Sequence, residues 1–547
     1  MTRIPGALVP VVGQDGGWGL ELRAVDLLVV GGGITGAGIA AEAAARGLKV
    51  LLVERGDFAS GASSRSSKLL HGGLRYLEQY HFAMVAQALG ERGRLHRRLP
   101  PDLATMVPFH YPVGKGQVFD ALRTWAGISL YDVMGLAQGM AWADRHRTLW
   151  PAEVRTELPL FDPAGPGVVF RYGDVVTDDA RLVLAVLRRA ASTGAIIRSR
   201  AEVRRWLWDG ETRVCGAVVE DRATGRLHEV RAGLVLNAAG PWVDALNALE
   251  SGHVPRLRPT RGAHVLVPDF TGGKALTIKS VPDRYGKRRW MFVIPFQGRS
   301  MIGTTDTDPP PGMSPAEYLD DSPVATREEV EYLLASVNAA CPGVALGPGD
   351  VLGSFAGWRP LLAPAADLHA SDVSREHEIF LTRAGVLCMA GGKLTTYRLM
   401  ARDMVDRAVL ELARRGRVPR TLVPGPIWPL SHRAGDRVAA SPRLVRRFGD
   451  EAEDVRMLGE ACGAAGLLEG LDVPEPPEEA EVVWAVLVEG ASTPGDVLER
   501  RLRVALLESA GGMNAVSRVI ELMAAALGKL YGWTAEERRR WMLASGA

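Results

Sequence analysis

The pattern of apolar and polar positions changes its period several times along the chain. Asp26-Leu-Leu-Val-Val30 is a short apolar run, the pattern of a strand buried on both faces. It leads through Gly31-Gly-Gly-Ile-Thr-Gly36 into the alanine-rich stretch Ala37–Arg46, a helix that Gly47 is placed to end. Lys49-Val-Leu-Leu-Val-Glu54 returns to strand. Further on, helical spacing runs over Ala180–Ser192, and strand patterns cover Val214–Glu220 and Leu227–Ala232. Trp290–Pro295 and Ser300–Gly303 read as strands, and Glu328–Ala340 as a helix with Thr326 as its N-cap. Gly385–Ala390 is a strand leading into Gly391-Gly392 and another helix. Pro419–Pro429, with four prolines in eleven residues, reads as a linker, and 431–547 continues in helical patterns.

The unit from 26 to 54 has the length of a βαβ element, about 30 residues. Gly31, Gly33 and Gly36 occupy the three positions of a dinucleotide fingerprint. The first permits a tight turn, the second lets backbone approach a pyrophosphate, and the third brings helix close to strand. N–H groups at the helix start and the helix dipole then face the phosphates. Glu54 ends the second strand, where a carboxylate accepts from both ribose hydroxyls and repels a 2′-phosphate. Three glycines alone are a weak signal, but strand, helix, second strand and terminal acid agree here. The chain has a single such fingerprint, which leaves NAD or FAD as the nucleotide cofactor.

The segment after Glu54 decides between them. Ser63-Ser-Arg-Ser-Ser-Lys-Leu-Leu-His-Gly-Gly-Leu-Arg-Tyr-Leu77 sets small hydroxyls ahead of a bend at His71-Gly72-Gly73 and a helix carrying Arg75 and Tyr76 in its first turn. This run resembles the signature of the FAD-dependent glycerol-3-phosphate dehydrogenases almost throughout. Val30–Ala40, Tyr172–Leu182, Asn237–Val243, Arg261–Val265, Ile302–Asp306, Gly357–Leu361 and Gly391–Arg398 are similar to that family in the same order. The resemblance is strong over 24–410 and looser beyond.

The resemblance implies an α/β flavoprotein of the D-amino-acid-oxidase type. A discontinuous Rossmann-type FAD-binding domain is expected at 24–95, 170–252 and 350–412, an antiparallel-sheet substrate domain at 96–169 and 253–349, and a helical C-terminal domain at 425–547. Non-covalent FAD is expected against Gly31, Gly33, Gly36, Glu54, Ser66, Ser67, Val203, Gly240, Gly392, Leu394 and Thr395. The implied substrate is sn-glycerol 3-phosphate, oxidised to dihydroxyacetone phosphate by hydride transfer from C2 to the flavin. Arg75, with a guanidinium fork, and Lys393, with a point charge, are the phosphate candidates. Tyr76 is a further substrate contact, and the pair Thr304-Thr305 either hydrogen-bonds the substrate or packs the strand end. His264 is favoured as base for the C2 hydroxyl, Arg359 as stabiliser of the developing alkoxide, and His71 as an orienting group.

One branch of that family passes electrons to membrane quinone and another reduces oxygen. The oxidase branch carries an insertion between the positions matching Arg359 and Lys393, which are only 34 residues apart here. Quinone is therefore the expected acceptor, with a peroxide-forming oxidase as the alternative. The other alternative is a related flavoenzyme acting on another hydroxy acid or amine. Phe119–Met140 mixes apolar and aromatic residues at helical spacing behind Arg92, Arg94, Arg97 and Arg98. That pattern suits a peripheral membrane contact and equally suits a buried helix.

Composition narrows the remaining classes. Lys+Arg 65 against Asp+Glu 63 gives +2, so nucleic acid is not an expected partner. The four cysteines form no Cys-x-x-Cys pair, which argues against a disulfide framework or a metal centre. The first twenty residues lack a signal-peptide pattern, and the expected place is the cytoplasm or the inner face of its membrane, with a homodimer as one expected assembly.

Overall fold

The computed structural model describes residues 7–8, 24–77, 80–160, 166–283, 285–308, 319, 323–363, 377–417, 432 and 439–544. Most of the 1–22 extension and the expected linker at 419–429 lie outside the described residues, as does the side chain of Arg75.

Two sheets organise the first 417 residues. One has the strand order 377–381, 387–391, 226–237, 24–30, 50–53, 196–198, with 201–209 and 213–221 attached to 226–237. Its central neighbours are parallel, Val30 pairing with Asn237 on one side and with Val53 on the other. Leu27, Leu28, Val50 and Leu51 are fully buried because helices cover one face and the antiparallel strands 201–209 and 213–221 fold over the other. Helix Ile34–Ala45 packs between helices Asp179–Ser192 and Tyr397–Arg414. Its small side chains permit that approach: the Cβ position of Gly38 lies 3.2 Å from Ala401.

The second sheet runs 353–359, 260–268, 299–303, 290–296, 275–279, 105–114, 166–176, 69–70, with 147–149 added beside 166–176. It is antiparallel except where 275–279 meets 105–114. Helix Arg327–Ala340 packs on it behind the expected cap, Thr326 Oγ1 accepting from the Glu329 N–H at 3.2 Å. Three segments depart from the expected domain limits. Strand 69–70, strand 166–176 up to Val176 and strand 353–359 all pair in this second sheet. Hydrophobic pattern along these segments does not say which sheet they join.

The helix expected from Arg75 onwards is also shorter than its pattern suggested. Leu74–Leu77 is one 3-10 turn, and the α-helix begins at Phe82. Residues 439–544 form helices around Trp484, Val483 and Leu527, with one π-helical turn at Asp496–Arg501. Helix Val118–Ala137 leaves Val118, Phe119, Leu122, Trp125 and Val133 exposed, Phe119 at 79 %. Ile128 and Tyr131 on its other face are buried, so the helix is packed on one side only. Arg92 leaves the expected basic patch: it is 2 % exposed and paired with Asp174 at 2.6 Å, whereas Arg94, Arg97 and Arg98 face outward.

Candidate active site

Two cavities meet where the sheets adjoin. The first, about 740 Å³, follows the carboxyl ends of the parallel strands and is lined by Gly31, Gly33, Glu54, Val203, Gly240 and Lys393 among others. The second, about 680 Å³, lies over the antiparallel sheet. Gly391, Gly392, Lys393 and Leu394 wall both, so the strand end 387–391 and the turn after it form the join.

The fingerprint glycines answer to specific contacts. Gly31 has φ +116°, and a Cβ there would meet the Ala238 carbonyl oxygen at 2.5 Å. Gly36 stands off the cavity: its Cβ position lies 1.9 Å from the Gly31 carbonyl oxygen, so any side chain would push helix from strand. Gly33 caps the helix without a side chain and leaves its start on the cavity wall. Ser63, which sequence reasoning did not single out, accepts from the Ile34 N–H at 3.0 Å and lines the same wall. Glu54 accepts from the N–H groups of Gly32 (2.7 Å) and Gly56 (2.8 Å). Burial pushes its carboxyl above the usual range, and those two donors oppose the shift.

The serines expected at the cofactor have other partners. Ser66 borders both cavities, but its hydroxyl donates to Asp179 at 2.7 Å. Ser67 borders only the second cavity, with Oγ 3.0 Å from His264 Nε2. Thr395 is 1 % exposed and donates to the His71 carbonyl, tying the turn after Gly392 to the bend at His71.

In the second cavity His71, Tyr76, His264, Thr304, Arg359 and Lys393 come together from five separate segments. His264 lies on strand Thr260–Pro268, stacked on Phe355 at 4.9 Å and 11°, and is 2 % exposed. Gly303, on the paired strand, makes room for it; a Cβ there would lie 2.1 Å from the imidazole. Burial, then Arg359, then Lys68 hold the ring's pKa well below its ordinary value, so the imidazole is neutral at pH 7. Its buried Nδ1 has no hydrogen-bond partner among the described residues.

Arg359 is fixed from four sides. It donates to Asp306 (2.9 Å), Thr304 Oγ1 (2.8 Å) and the carbonyls of Thr305 (2.9 Å) and Arg261 (3.3 Å). Thr305 itself stands behind the wall: it is 5 % exposed, donates to Glu329 and accepts from the Ala263 N–H. The expectation of a substrate contact at Thr305 is corrected accordingly, because alternation along the strand end turns it away from its neighbour Thr304. Lys393 Nζ lies 3.5 Å from the centre of the Tyr76 ring.

Charge in this cavity is strongly one-sided. Among the described residues Arg65, Arg123, Arg359 and Lys393 line it against one carboxylate, Asp174; Arg92 pairs with that carboxylate and Asp306 pairs with Arg359. Arg65 sits inside the serine-rich run and was overlooked because arginine is abundant in this chain. Lys68 was also missed, although the chain has few lysines. It is fully buried, donates to Asp179 (2.9 Å) and the Ser64 carbonyl (3.0 Å), and is pushed down to about 8 by burial and by Arg503. The arrangement can hold a small anion beside a neutral imidazole, next to a dinucleotide.

Comparison with known proteins agrees with this geometry. Residues 26–398 match the family model described as FAD dependent oxidoreductase, and 428–538 match the C-terminal domain of alpha-glycerophosphate oxidase. Glycerol-3-phosphate dehydrogenase 2 of Mycobacterium tuberculosis (strain ATCC 25618 / H37Rv) is 38% identical over 535 residues, covering 94% of this chain and 86% of that protein. The aerobic glycerol-3-phosphate dehydrogenase of Staphylococcus aureus (strain NCTC 8325 / PS 47) is 38% identical over 384 residues, 70% of this chain and 66% of that one. Among solved structures, the glycerol-3-phosphate dehydrogenase of Bacillus halodurans complexed with FAD superposes with a TM-score of 0.69 at 27% identity, covering 96% of this chain and 94% of that chain.

Proposed function

Because this chain belongs to the family of FAD-dependent glycerol-3-phosphate dehydrogenases, we propose that it oxidises sn-glycerol 3-phosphate to dihydroxyacetone phosphate and delivers the electrons to a membrane quinone. The cofactor is FAD. The first cavity suits it in size, within the roughly 300–1,000 Å³ usual for cofactor sites. Its glycine-walled end near Gly31 and Gly33 suits a pyrophosphate, and the Gly392–Leu394 turn suits a flavin ring bordering the second cavity. When bound, FAD supplies the acceptor for the C2 hydride.

The observation that carries the reading is the pairing of a cationic cavity with one buried, neutral histidine. A triose phosphate needs its dianion held and its secondary hydroxyl deprotonated. Lys393 and Arg75 hold the phosphate in this proposal, with Tyr76 under the Lys393 ammonium restricting where it points. His264 Nε2 receives the hydroxyl proton, with Ser67 Oγ 3.0 Å away as a relay. Arg359, immobilised by Asp306 and Thr304, faces the oxygen on which negative charge develops, at no cost of reorganisation. His71 orients the remaining hydroxyl.

Quinone delivery is supported by what surrounds the cavity mouth. Tyr80, Phe82 and Leu130 are exposed and also line the second cavity, and Leu130 continues into the exposed apolar face of helix Val118–Ala137. Among the described residues no helix is long and apolar enough to cross a membrane, so access to a lipid-borne acceptor would come through such a face. The test is anaerobic mixing of the yellow protein with glycerol 3-phosphate, then reoxidation by a quinone analogue or by oxygen. Bleaching followed by faster reoxidation with the quinone is expected. Bleaching by an amine or another hydroxy acid alone would refute the substrate, and faster reoxidation by oxygen would refute the acceptor.

A further inference from the structure

The helical C-terminal domain supplies part of the wall of the FAD cavity. Thr493, Gly495, Asp496, Glu499 and Arg500 line it alongside Glu54, Arg55 and Gly56 from the nucleotide domain. They belong to, or adjoin, the π-helical turn Asp496–Arg501, a winding that is rare and frequent at functional sites. That wall is tied together by a largely buried ion cluster made from both domains, of which Asp57, Arg200, Asp496 and Arg500 also line the cavity and Arg501 does not. Arg500 donates through Nε to Asp57, and Arg501 grips the same carboxylate through both Nη atoms, Nη2 to Oδ1 at 2.9 Å. From the other side Arg200 clasps Asp496 at 2.7 and 2.9 Å.

Asp57 stands three residues beyond Glu54 in a loop whose Gly56 N–H binds the Glu54 carboxylate. It is 2 % exposed, and a buried carboxylate is tolerated only while its cations are in place. The shape of the loop that presents Glu54 to the cofactor and the seating of the C-terminal domain are therefore fixed by one set of contacts. Elsewhere the two domains are joined by pairs such as Arg188 with Glu451 (2.6 Å), which line neither cavity.

We propose that the C-terminal domain is a cofactor clamp: its segment 493–501 closes the Glu54 end of the cleft and, through Asp57, holds the loop that meets FAD, so that cofactor binding and domain seating stabilise each other. A ligand contacting both sides of a seam strengthens it, and loosening the seam weakens the ligand by the same factor. Arg501, which does not line the cavity, acts here as a positioning residue, while Asp57 lines the cavity and anchors its loop as well.

The test compares two full-length holoenzymes, Asp57→Asn and Glu451→Gln, by FAD release on dilution, followed by flavin fluorescence, and by thermal unfolding. Both should unfold at lower temperature, but only Asp57→Asn should raise the FAD dissociation constant, by about tenfold or more. A second measurement needs no variant. Removing FAD from the wild-type chain should speed amide hydrogen exchange in 493–503 more than in Glu479–Leu487 of the same domain. The proposal is overturned if the two variants hold FAD equally well, or if exchange in 493–503 ignores the cofactor. Should Asp57→Asn fail to fold, the exchange comparison decides alone.

Discussion

Replacing His264 by alanine tests the proposed chemistry most directly. In the native site the imidazole is neutral, so it adds no charge to the hold on a phosphate dianion. Its removal should therefore slow flavin reduction while changing substrate affinity little. A positioned general base contributes about 10²–10⁴-fold in rate, equivalent to about 3–5 kcal/mol of barrier. The stability cost is separate: the Phe355 stack is worth about 0.5–1.5 kcal/mol and the hydrogen bond with Ser67 about 1 kcal/mol. Together these should lower the melting temperature without unfolding the protein. The assay is anaerobic stopped-flow, reading the limiting rate of loss of the flavin band and the apparent substrate Kd. The wild-type pH profile checks the same reasoning. Because burial and two nearby cations depress the folded pKa of His264, the base stays unprotonated as pH falls through 6.5, and the limiting rate should hold there. The limiting rate is the quantity to follow, since a phosphate ester itself titrates near ~6. A wild-type rate in His264→Ala, a loss appearing only in Kd, or an acid limb centred near 6.5 would each refute the assignment.

Three further outcomes follow from the geometry. Lys393→Ala removes a charge-assisted contact worth about 1.5–3 kcal/mol, so substrate Kd in the same stopped-flow assay should rise about 10- to 100-fold, with a smaller change in limiting rate. Gly36→Ala forces a methyl group to within 1.9 Å of the Gly31 carbonyl oxygen, and the purified protein should lack flavin absorbance. Phe119→Glu with Trp125→Glu removes two exposed anchors of helix Val118–Ala137, each worth about 2 kcal/mol if buried in lipid. Co-sedimentation with anionic vesicles should be lost while flavin reduction by substrate is unchanged.

Where an element's causes lie within a few residues of it, the sequence shows them. Gly36 answers to the Gly31 carbonyl five residues before it, and the alanines between Ala37 and Ala45 are strong helix formers whatever packs against them. Ser66, Ser67 and Thr305 were harder to read. Each carries a hydroxyl in a motif, and whether that hydroxyl meets a ligand depends on Asp179, His264 or Glu329, which arrive from 113, 197 and 24 residues away. The limits of the two sheets were hidden in the same way, since strand 353–359 finds its partner, Thr260–Pro268, across some ninety residues of chain.

The same distance explains why the C-terminal domain looked featureless. Its arginines read as ordinary members of an arginine-rich chain, and nothing in their spacing points to a site. In the fold, Arg503 reaches Asp178 at 2.9 Å and also pairs with Asp179. Asp179 in turn holds Lys68 and Ser66, and Ser67 is the neighbour whose hydroxyl meets His264. A cation from the last quarter of the chain thus helps fix the serine loop beside the proposed base, while Arg500 and Arg501 do the same for the loop beside Glu54. Without that domain, Asp57 and Asp179 would each lose buried cationic partners. The catalytic core would then face the cost of two carboxylates inside the protein with less charge to balance them.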